Sequence, residues 1–355
     1  MSRLLKNEWT TFIIALVASA LTSVLIFTSA NPVLTFFISA IALATLATVV
    51  GHATEQLGNY LGPGATGVVQ SAIGNLPELF VSFFALRAGL VTVVQSALVG
   101  SILANSLLVM GLAFLFGGVK HGTQKFSHET PRAMVMLMVL ATSALVMPTL
   151  AHSLHTPASA HEVTLSITSA LVLLAIFIAS IPMSMQGGPS MEASHDPEKT
   201  EKPWSLTRVV SVLAVAGISA AFVSDWFVQA LEPAIETLHI SEAFAGLVVV
   251  AIAGNAVENV VGIQLAIKNK SDYAISVILN SSLQVALALT PILVLLSFFF
   301  TPVALTLVLP PLLVVALVLT ALLSVLIVYD GESNWLEGLA LIGLYLMIAT
   351  SFWWG

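Results

Sequence analysis

Two glutamates stand out because each closes a copy of the same short motif. The segment Ala-Ile-Gly-Asn-Leu-Pro-Glu ends at Glu78, and Ile-Ala-Gly-Asn-Ala-Val-Glu ends at Glu258, 180 residues later. A pair of carboxylates offers several oxygens and two negative charges, which suits Ca²⁺ because this ion takes oxygen ligands from carboxylates, carbonyls, amides and water. We therefore expect Glu78 and Glu258 to bind a metal cation.

Neutral oxygens around the two motifs can complete such a site. Asn75 and Asn255 precede the glutamates by three residues, and Pro77 cannot donate to the carbonyl of Ile73, which leaves that oxygen available to an ion. In the following helix of the first half, a four-residue spacing puts two polar side chains on one face. The ligand candidates are Ile73, Asn75, Glu78, Ser101, Asn105, Asn255, Glu258, Ser281 and Gln284. For the hydroxyls and amides, interhelical hydrogen bonding is the alternative role.

The composition places these groups in a membrane. The chain is 58% hydrophobic and 8% charged, whereas ordinary globular domains are about 25% charged. Uncharged stretches of roughly 20 residues, the span of a hydrocarbon core, cover nearly the whole sequence. We expect an integral membrane protein, surrounded by lipid, without a soluble domain and without a nucleic-acid partner. The absence of cysteine excludes disulfides and thiolate metal sites.

Apolar stretches predict an all-α polytopic fold with 11 transmembrane helices. They lie near 9–28, 32–57, 63–86, 90–117, 130–150, 162–182, 205–231, 242–267, 273–299, 303–328 and 335–354. With the N-terminus in the cytoplasm and the C-terminus outside, every lysine and arginine except Arg87 falls on the cytoplasmic side. The expected location is a prokaryotic plasma membrane.

The motif repeat divides the chain into two related halves. We predict an extra N-terminal helix over 1–31, a first five-helix repeat over 32–182, a cytoplasmic acidic linker over 183–204 and a second five-helix repeat over 205–355. Because five spans separate the two copies, the second is inverted in the membrane. Inverted repeats with a midplane site at their interface are typical of secondary transporters.

Proton coupling follows from the same two carboxyl groups. Burial favours the neutral form of a carboxyl group, whereas a divalent cation favours the charged form, so protons and metal compete for one site. Glu55 and Asp225 lie near opposite ends of the first helices of the two repeats and are candidates for a proton or ion path. No cofactor is expected beyond the transported Ca²⁺ and its counter-ion H⁺, and a homo-oligomer is left open.

At these motifs the sequence resembles the calcium/proton antiporters of the cation exchanger family, within the calcium/cation antiporter superfamily. Gly51–Glu55 is similar to that family's Ala-Thr-Glu motif, and Gly74–Glu78 and Gly254–Glu258 to its paired Gly-Asn-x-x-Glu signatures. The resemblance covers almost the whole chain. It implies 11 helices, coordination of calcium by both motif glutamates, and alternating access by sliding of the motif helices. The chain has Asn259 where many members have histidine after the second motif glutamate.

Three alternatives remain beside calcium/proton exchange. A sodium/calcium exchanger of the same superfamily would be driven by a sodium gradient, and an antiporter for Mn²⁺, Na⁺ or K⁺ against protons would use a similar oxygen site. An intramembrane enzyme is the third. The sequence contains no HExxH, no GxSxG and no Gly-Lys-Ser/Thr phosphate loop, so we do not expect an enzyme.

Overall fold

The computed structural model describes residues 8–61, 73–127, 129–186 and 204–354, and this part of the chain is almost entirely helical. The helices are α1 (Glu8–Phe27), α2 (Pro32–Gly58), α3 (Leu76–Arg87), α4 (Val91–Leu103), α5 (Met110–His121), α6 (Glu129–Ser153), α7 (Glu162–Gln186), α8 (Leu206–Leu238), α9 (Glu242–Phe244), α10 (Ala251–Gly254), α11 (Ala256–Ile267), α12 (Ser271–Gln284), α13 (Thr290–Phe300), α14 (Pro311–Tyr329) and α15 (Trp335–Ser351). Strands β1 (Gln124–Lys125) and β2 (Glu332–Ser333) form one short antiparallel pair.

The expectation of an integral membrane protein is confirmed. Among the described residues, eight helices are long and apolar enough to cross a membrane, and a ninth span is obtained if one bent pair is counted. Helix α15 is apolar but shorter, and residues 63–72 of the predicted span 63–86 lie outside the described part. The count of 11 spans and the arrangement in two repeats stay predictions.

Both motifs interrupt their helices at the asparagine, a feature that the sequence analysis did not predict. Asn75 has φ −89° and ψ 10°, and Asn255 has φ −99° and ψ 20°, a sparsely populated backbone region in which many active-site residues lie. In the second motif the helical pieces Glu242–Gly254 and Asn259–Ile267 are inclined by 63°. Pro77 therefore lies in the first turn of α3, where a missing N–H costs little, rather than inside a continuous helix.

Wide π-helical turns interrupt the helices that follow each motif. One covers Ala104–Val109 between α4 and α5, and another covers Val285–Leu289 between α12 and α13. A third, Ala245–Val250, precedes α10. Such turns are uncommon and concentrate at functional sites. The first two are separated by about the 180-residue interval of the motifs.

The prediction of a helix over 303–328 is wrong for about its first third, which is not helical. Helix α14 begins at Pro311, and residues 302–310, which we call the extended segment, form neither a helix nor a strand. Leu305, Leu307 and Leu309 are buried, so every second side chain points inward, as in a buried strand. A high apolar content does not by itself distinguish this pattern from a helix.

The backbone of the extended segment forms no helical hydrogen bonds, and polar side chains from surrounding helices bond to its amide and carbonyl groups instead. Its amide groups donate to hydroxyls of α6, α7 and α13, and its carbonyls accept from α4 and α6. The bonds run from Leu305 N to Ser297 Oγ (2.8 Å), Leu307 N to Ser166 Oγ (2.9 Å), Leu309 N to Thr149 Oγ1 (2.8 Å), Thr149 Oγ1 to Leu307 O (2.9 Å), and Gln95 Nε2 to Thr306 O (2.9 Å) and Val308 O (3.0 Å). Non-helical backbone at membrane depth requires such satisfaction within the protein.

The segment Val91–His121 lies at the centre of the molecule. In its most apolar stretch 83% of the residues are buried, compared with 22% for Trp9–Phe27 and 17% for Pro157–Ile181, whose apolar side chains face outward. Two glycines permit close packing here: a Cβ on Gly100 would lie 2.4 Å from the carbonyl oxygen of Leu247, and one on Gly246 would lie 2.3 Å from that of Val93. Helix α4 and the bent helix therefore touch through their backbones.

Contacts between loops agree with the predicted alternation of faces. On the predicted cytoplasmic side, β1 pairs with β2 and Lys125 forms an ion pair with Glu332 at 3.0 Å. Lys120 Nζ donates to the carbonyl of Ile267 at 3.0 Å on the same side. On the opposite side, the amide of Ser241 donates to the carbonyl of Trp353 at 3.1 Å. Which face is cytoplasmic stays a prediction.

Candidate functional site

Glu78 lies in the first turn of α3 and is only 2% exposed. Because α3 restarts after the break at Asn75, the carboxyl group lies beside the positive end of a new helix dipole, which stabilises negative charge. Neither α3 before Arg87 nor α11 contains a lysine or an arginine. The carboxyl group is thus buried at the start of α3, and the one cationic residue of the two motif helices, Arg87, lies at the opposite end of α3.

Asn255 of the second motif connects Glu78 to the rest of the site. It is 1% exposed, and its Nδ2 donates to Glu78 Oε1 at 3.4 Å and to Ser101 Oγ at 2.9 Å. Ser101 Oγ in turn donates to Glu78 Oε1. The two motifs, far apart in sequence, therefore meet around one carboxylate.

Asn105 and Ser281 extend this network on the far side of Asn255. Asn105 Nδ2 donates to Ser281 Oγ at 2.9 Å and to Asn255 Oδ1 at 3.4 Å, and Ser281 Oγ donates to the same oxygen at 3.3 Å. Asn105 is fully buried, and within the described residues its Oδ1 accepts no hydrogen bond. A buried oxygen without a donor is costly in a protein interior, but it is free to ligate a cation.

Asn75 and Gln284 form a further contact between the halves. Asn75 Nδ2 donates to Gln284 Oε1 at 3.0 Å. The hydroxyls of Ser106 and Ser282 share a hydrogen bond of 3.2 Å, a contact that we did not predict. Ser106 lies within the first π-helical turn and Ser282 lies three residues before the second, and the altered spacing of such turns cannot be seen in the hydrophobic periodicity.

Glu258 occupies the same position in α11 as Glu78 does in α3. Each is the third residue after the asparagine at which its helix is interrupted. Its side chain lies outside the described residues, so its distance from Glu78 is not given by the structure. The pairing of the two carboxyl groups stays a prediction.

Gly254 lies against the side chain of Glu78. A Cβ at this position would lie 3.4–3.5 Å from the Glu78 side-chain carbons, in direct contact with them, whereas one on Gly74 would meet no described atom within 4 Å. A cavity of about 10 Å³ adjoins Glu78, Gly254 and Phe227, close to the volume of one water-sized probe. Among the described atoms, a Cβ at either glycine would therefore meet at most ordinary van der Waals contacts.

The two path candidates lie on different helices. Glu55 is near the end of α2, with Oε2 3.6 Å from Nδ1 of His52. Asp225 lies on α8 in an open cleft, where its Oδ2 accepts from Gln229 Nε2 at 2.8 Å. Ile73, whose carbonyl is a ligand candidate, is partly buried just before the break. The roles of the path candidates and of the Ile73 carbonyl stay predictions.

The chemistry of this arrangement is that of a hard cation site. Its donors are a carboxylate, amides and hydroxyls, all oxygen ligands of the kind that Ca²⁺ prefers. Within the described residues no cluster of three or more His, Asp or Glu side chains is present, so a site here combines few charges with many neutral oxygens.

The sequence matches known families over almost its whole length. The profile described as "Sodium/calcium exchanger protein" matches residues 31–186 and 208–354. A "Ca(2+)/H(+) antiporter" of Aphanothece halophytica is 34% identical over 336 residues, covering 89% of each chain. The "Ca(2+)/H(+) antiporter ChaA" of Bacillus subtilis is 34% identical over 323 residues, covering 89% of this chain and 91% of the relative.

Solved structures show a similar fold. The structure titled "Structure of native YfkE" has a TM-score of 0.82 at 31% identity and covers 97% of this chain and 99% of that one. The "Crystal Structure of H+/Ca2+ Exchanger CAX" has a TM-score of 0.73 at 19% identity, with 98% and 93% coverage. At that lower identity only the fold is indicated.

Proposed function

This chain belongs to the sodium/calcium exchanger protein family, and we propose that within it the chain is a secondary active antiporter that exchanges cytoplasmic Ca²⁺ for H⁺. Relatives named as calcium/proton antiporters, at 34% identity over nearly the full length, support this assignment. The membrane-spanning helices support transport rather than catalysis.

The observation that carries the proposal is the environment of Glu78. A buried carboxyl group, with neutral donors from both motifs around it, can exist in two useful forms. As a carboxylate it is a ligand for a divalent cation, and as a carboxylic acid it is a neutral group that can stay buried in the membrane interior without a charge penalty.

Exchange follows from competition between these forms. Calcium enters the site as the protons leave Glu78 and Glu258, and protons return when calcium has left. Two carboxyl groups exchange two protons for one Ca²⁺. Two positive charges therefore move in each direction, and the exchange is electroneutral. Alternating access, in which the site opens to one face at a time, then couples the two fluxes.

The neutral oxygens of Asn105, Asn255, Ser101, Ser281 and Gln284 complete the calcium site in this mechanism. Asn105 has a fully buried Oδ1 that accepts no hydrogen bond among the described residues. It is also a point of asymmetry, because the residue 180 positions later is Val285. We therefore assign Asn105 as a ligand contributed by one half alone.

Replacing Asn105 with valine, the residue at the related position, should raise the calcium concentration for half-maximal exchange by about 5- to 100-fold, since a buried oxygen ligand and a donor to Ser281 are lost. The measurement is the calcium dependence of initial exchange rates in proteoliposomes. Ser106→Ala in the same π-helical turn is the control, because the described contact of its hydroxyl is with Ser282 only. Unchanged calcium dependence in Asn105→Val would remove Asn105 from the site.

The experiment that tests the proposed function is calcium uptake into proteoliposomes under an imposed pH gradient. A gradient with acid inside should drive Ca²⁺ inward while protons leave, and a protonophore that collapses the gradient should stop the uptake. Excess Mn²⁺, Na⁺ or K⁺ in the outer buffer then reports the selectivity of the oxygen site.

The same vesicles distinguish the nearest alternative. An outward sodium gradient without a pH gradient should drive no calcium uptake above that of protein-free liposomes. Uptake that follows the sodium gradient, and ignores the pH gradient, would assign the chain to sodium/calcium exchange.

A further inference from the structure

A cleft of about 670 Å³ separates α3 from α8 on the face that carries Arg87. The lining residues that matter here are polar: Arg87, Asp225, Gln229 and Glu232. The three from α8 are spaced four and three residues apart and so share one face of the helix. This cleft includes one of the path candidates, Asp225, but it does not reach Glu78.

The small cavity beside Glu78 is bounded by the same two helices. Val81 of α3 and Phe227 of α8 line it, together with Gly254 of the second motif. Phe227 is fully buried, and its ring stacks on that of Phe36 in α2 with centroids 5.1 Å apart. The wall of the cavity towards α8 is therefore aromatic and dry.

One layer of side chains separates the two spaces. On α3, Val81 lines the small cavity and Phe84, on the same face and one turn further along, lines the cleft. On α8, Phe227 lines the small cavity and the next residue, Val228, lines the cleft. All four side chains are apolar, and they form the layer between the two spaces. Hydrophobic constrictions of this kind block ions by excluding water.

We propose that the cleft is the outer vestibule of the transport path and that Val81 and Phe227 form its closed gate above Glu78. This inference rests on the proposed function and adds to it the residues that close one side of the site. Hydrated cations and protons gather in the vestibule, where the carboxylates of Asp225 and Glu232 outnumber the guanidinium of Arg87. They reach Glu78 only when the Phe227 ring leaves the layer.

The absence of cysteine permits a direct test of access. Ala253 lines the small cavity, so Ala253→Cys introduces a unique thiol behind the gate, and Gln229→Cys introduces one in the cleft. A membrane-impermeant cationic methanethiosulfonate is added to intact cells and separately to inverted vesicles, and modification is followed by mass spectrometry. The side on which Gln229→Cys reacts identifies the face to which the cleft opens.

From that face, the thiol of Ala253→Cys should react at least about tenfold faster when Phe227 is changed to alanine, because water then crosses the layer. Phe227→Leu, which keeps an apolar side chain in the layer, should react at nearly the original rate. Should Phe227→Ala fail to fold, Val81→Ala provides the same test with a smaller opening.

If the thiol of Ala253→Cys reacts equally fast with Phe227 in place and in the Phe227→Ala variant, the proposed gate is wrong. If the thiol of Gln229→Cys reacts from neither side, the cleft faces lipid and the proposed vestibule is wrong. Because labelling does not depend on calcium transport, it can succeed while exchange fails, and the two proposals are therefore judged separately.

Discussion

Replacing Glu78 with glutamine is expected to reduce calcium/proton exchange to the level of protein-free liposomes. The amide has nearly the same shape, so the hydrogen bonds around Ser101 and Asn255 can largely be retained. It carries no charge for a divalent cation and releases no proton in the physiological range, so both halves of the exchange are lost together. Initial rates under an acid-inside pH gradient provide the measurement.

Folding should survive this change, because a neutral amide is less costly to bury than a carboxylate. Glu236→Gln, the same substitution at an exposed position on α8, is the matched control and should exchange normally. Glu258→Gln should reproduce the loss seen with Glu78→Gln. Substantial exchange by either motif mutant, purified and monodisperse, would refute a site shared by two glutamates.

Gly246→Ala is expected to destabilise the protein by about 1–3 kcal/mol or more and to impair exchange. The added methyl group would lie 2.3 Å from the carbonyl oxygen of Val93 and 3.0 Å from the amide nitrogen of Ala97. Backbone atoms cannot move aside as a flexible side chain can, so α4 and the bent helix have to separate. Since α4 carries Ser101, the separation also disturbs the contacts of Glu78. Thermal unfolding in detergent, together with exchange in proteoliposomes, measures both effects.

Gly217 provides the control for this prediction. It lies in α8, and a Cβ there would meet no described atom within 4 Å. Gly217→Ala should therefore be neutral or stabilise the helix by about 0.5–1 kcal/mol. If Gly246→Ala melts at the same temperature as Gly217→Ala, the close backbone contact does not exist.

The residues of the candidate site could be predicted from the sequence, but most of their connections could not. The repeated motif identifies Glu78 and Asn255, and a four-residue spacing relates Ser101 to Asn105. Asn255 bridges Glu78 and Ser101 because the second motif helix breaks at this residue. Neither a broken helix nor a π-helical turn has a hydrophobic period of its own, so sequence patterns predict continuous helices through both.

The extended segment 302–310 shows the same limit more clearly. Its composition is as apolar as that of a transmembrane helix, and Pro302 alone does not reveal how far the irregular backbone continues. Apart from the bond to Ser297, the hydrogen bonds that make this backbone tolerable come from Gln95, Thr149 and Ser166, all more than 130 residues earlier in the chain. Partners this distant cannot be identified from one sequence without an alignment.

This extended segment also restricts how the surrounding helices can move. Helices α4, α6, α7 and α13 each form a hydrogen bond to its backbone through one side chain, which lies at a fixed position along the helix axis. If one of them slipped along its axis by a full turn, about 5.4 Å, its own bond would break while the others held. The segment thus ties four helices to a common axial register, and any rearrangement that preserves these bonds has to carry the four as a single block or leave all of them still.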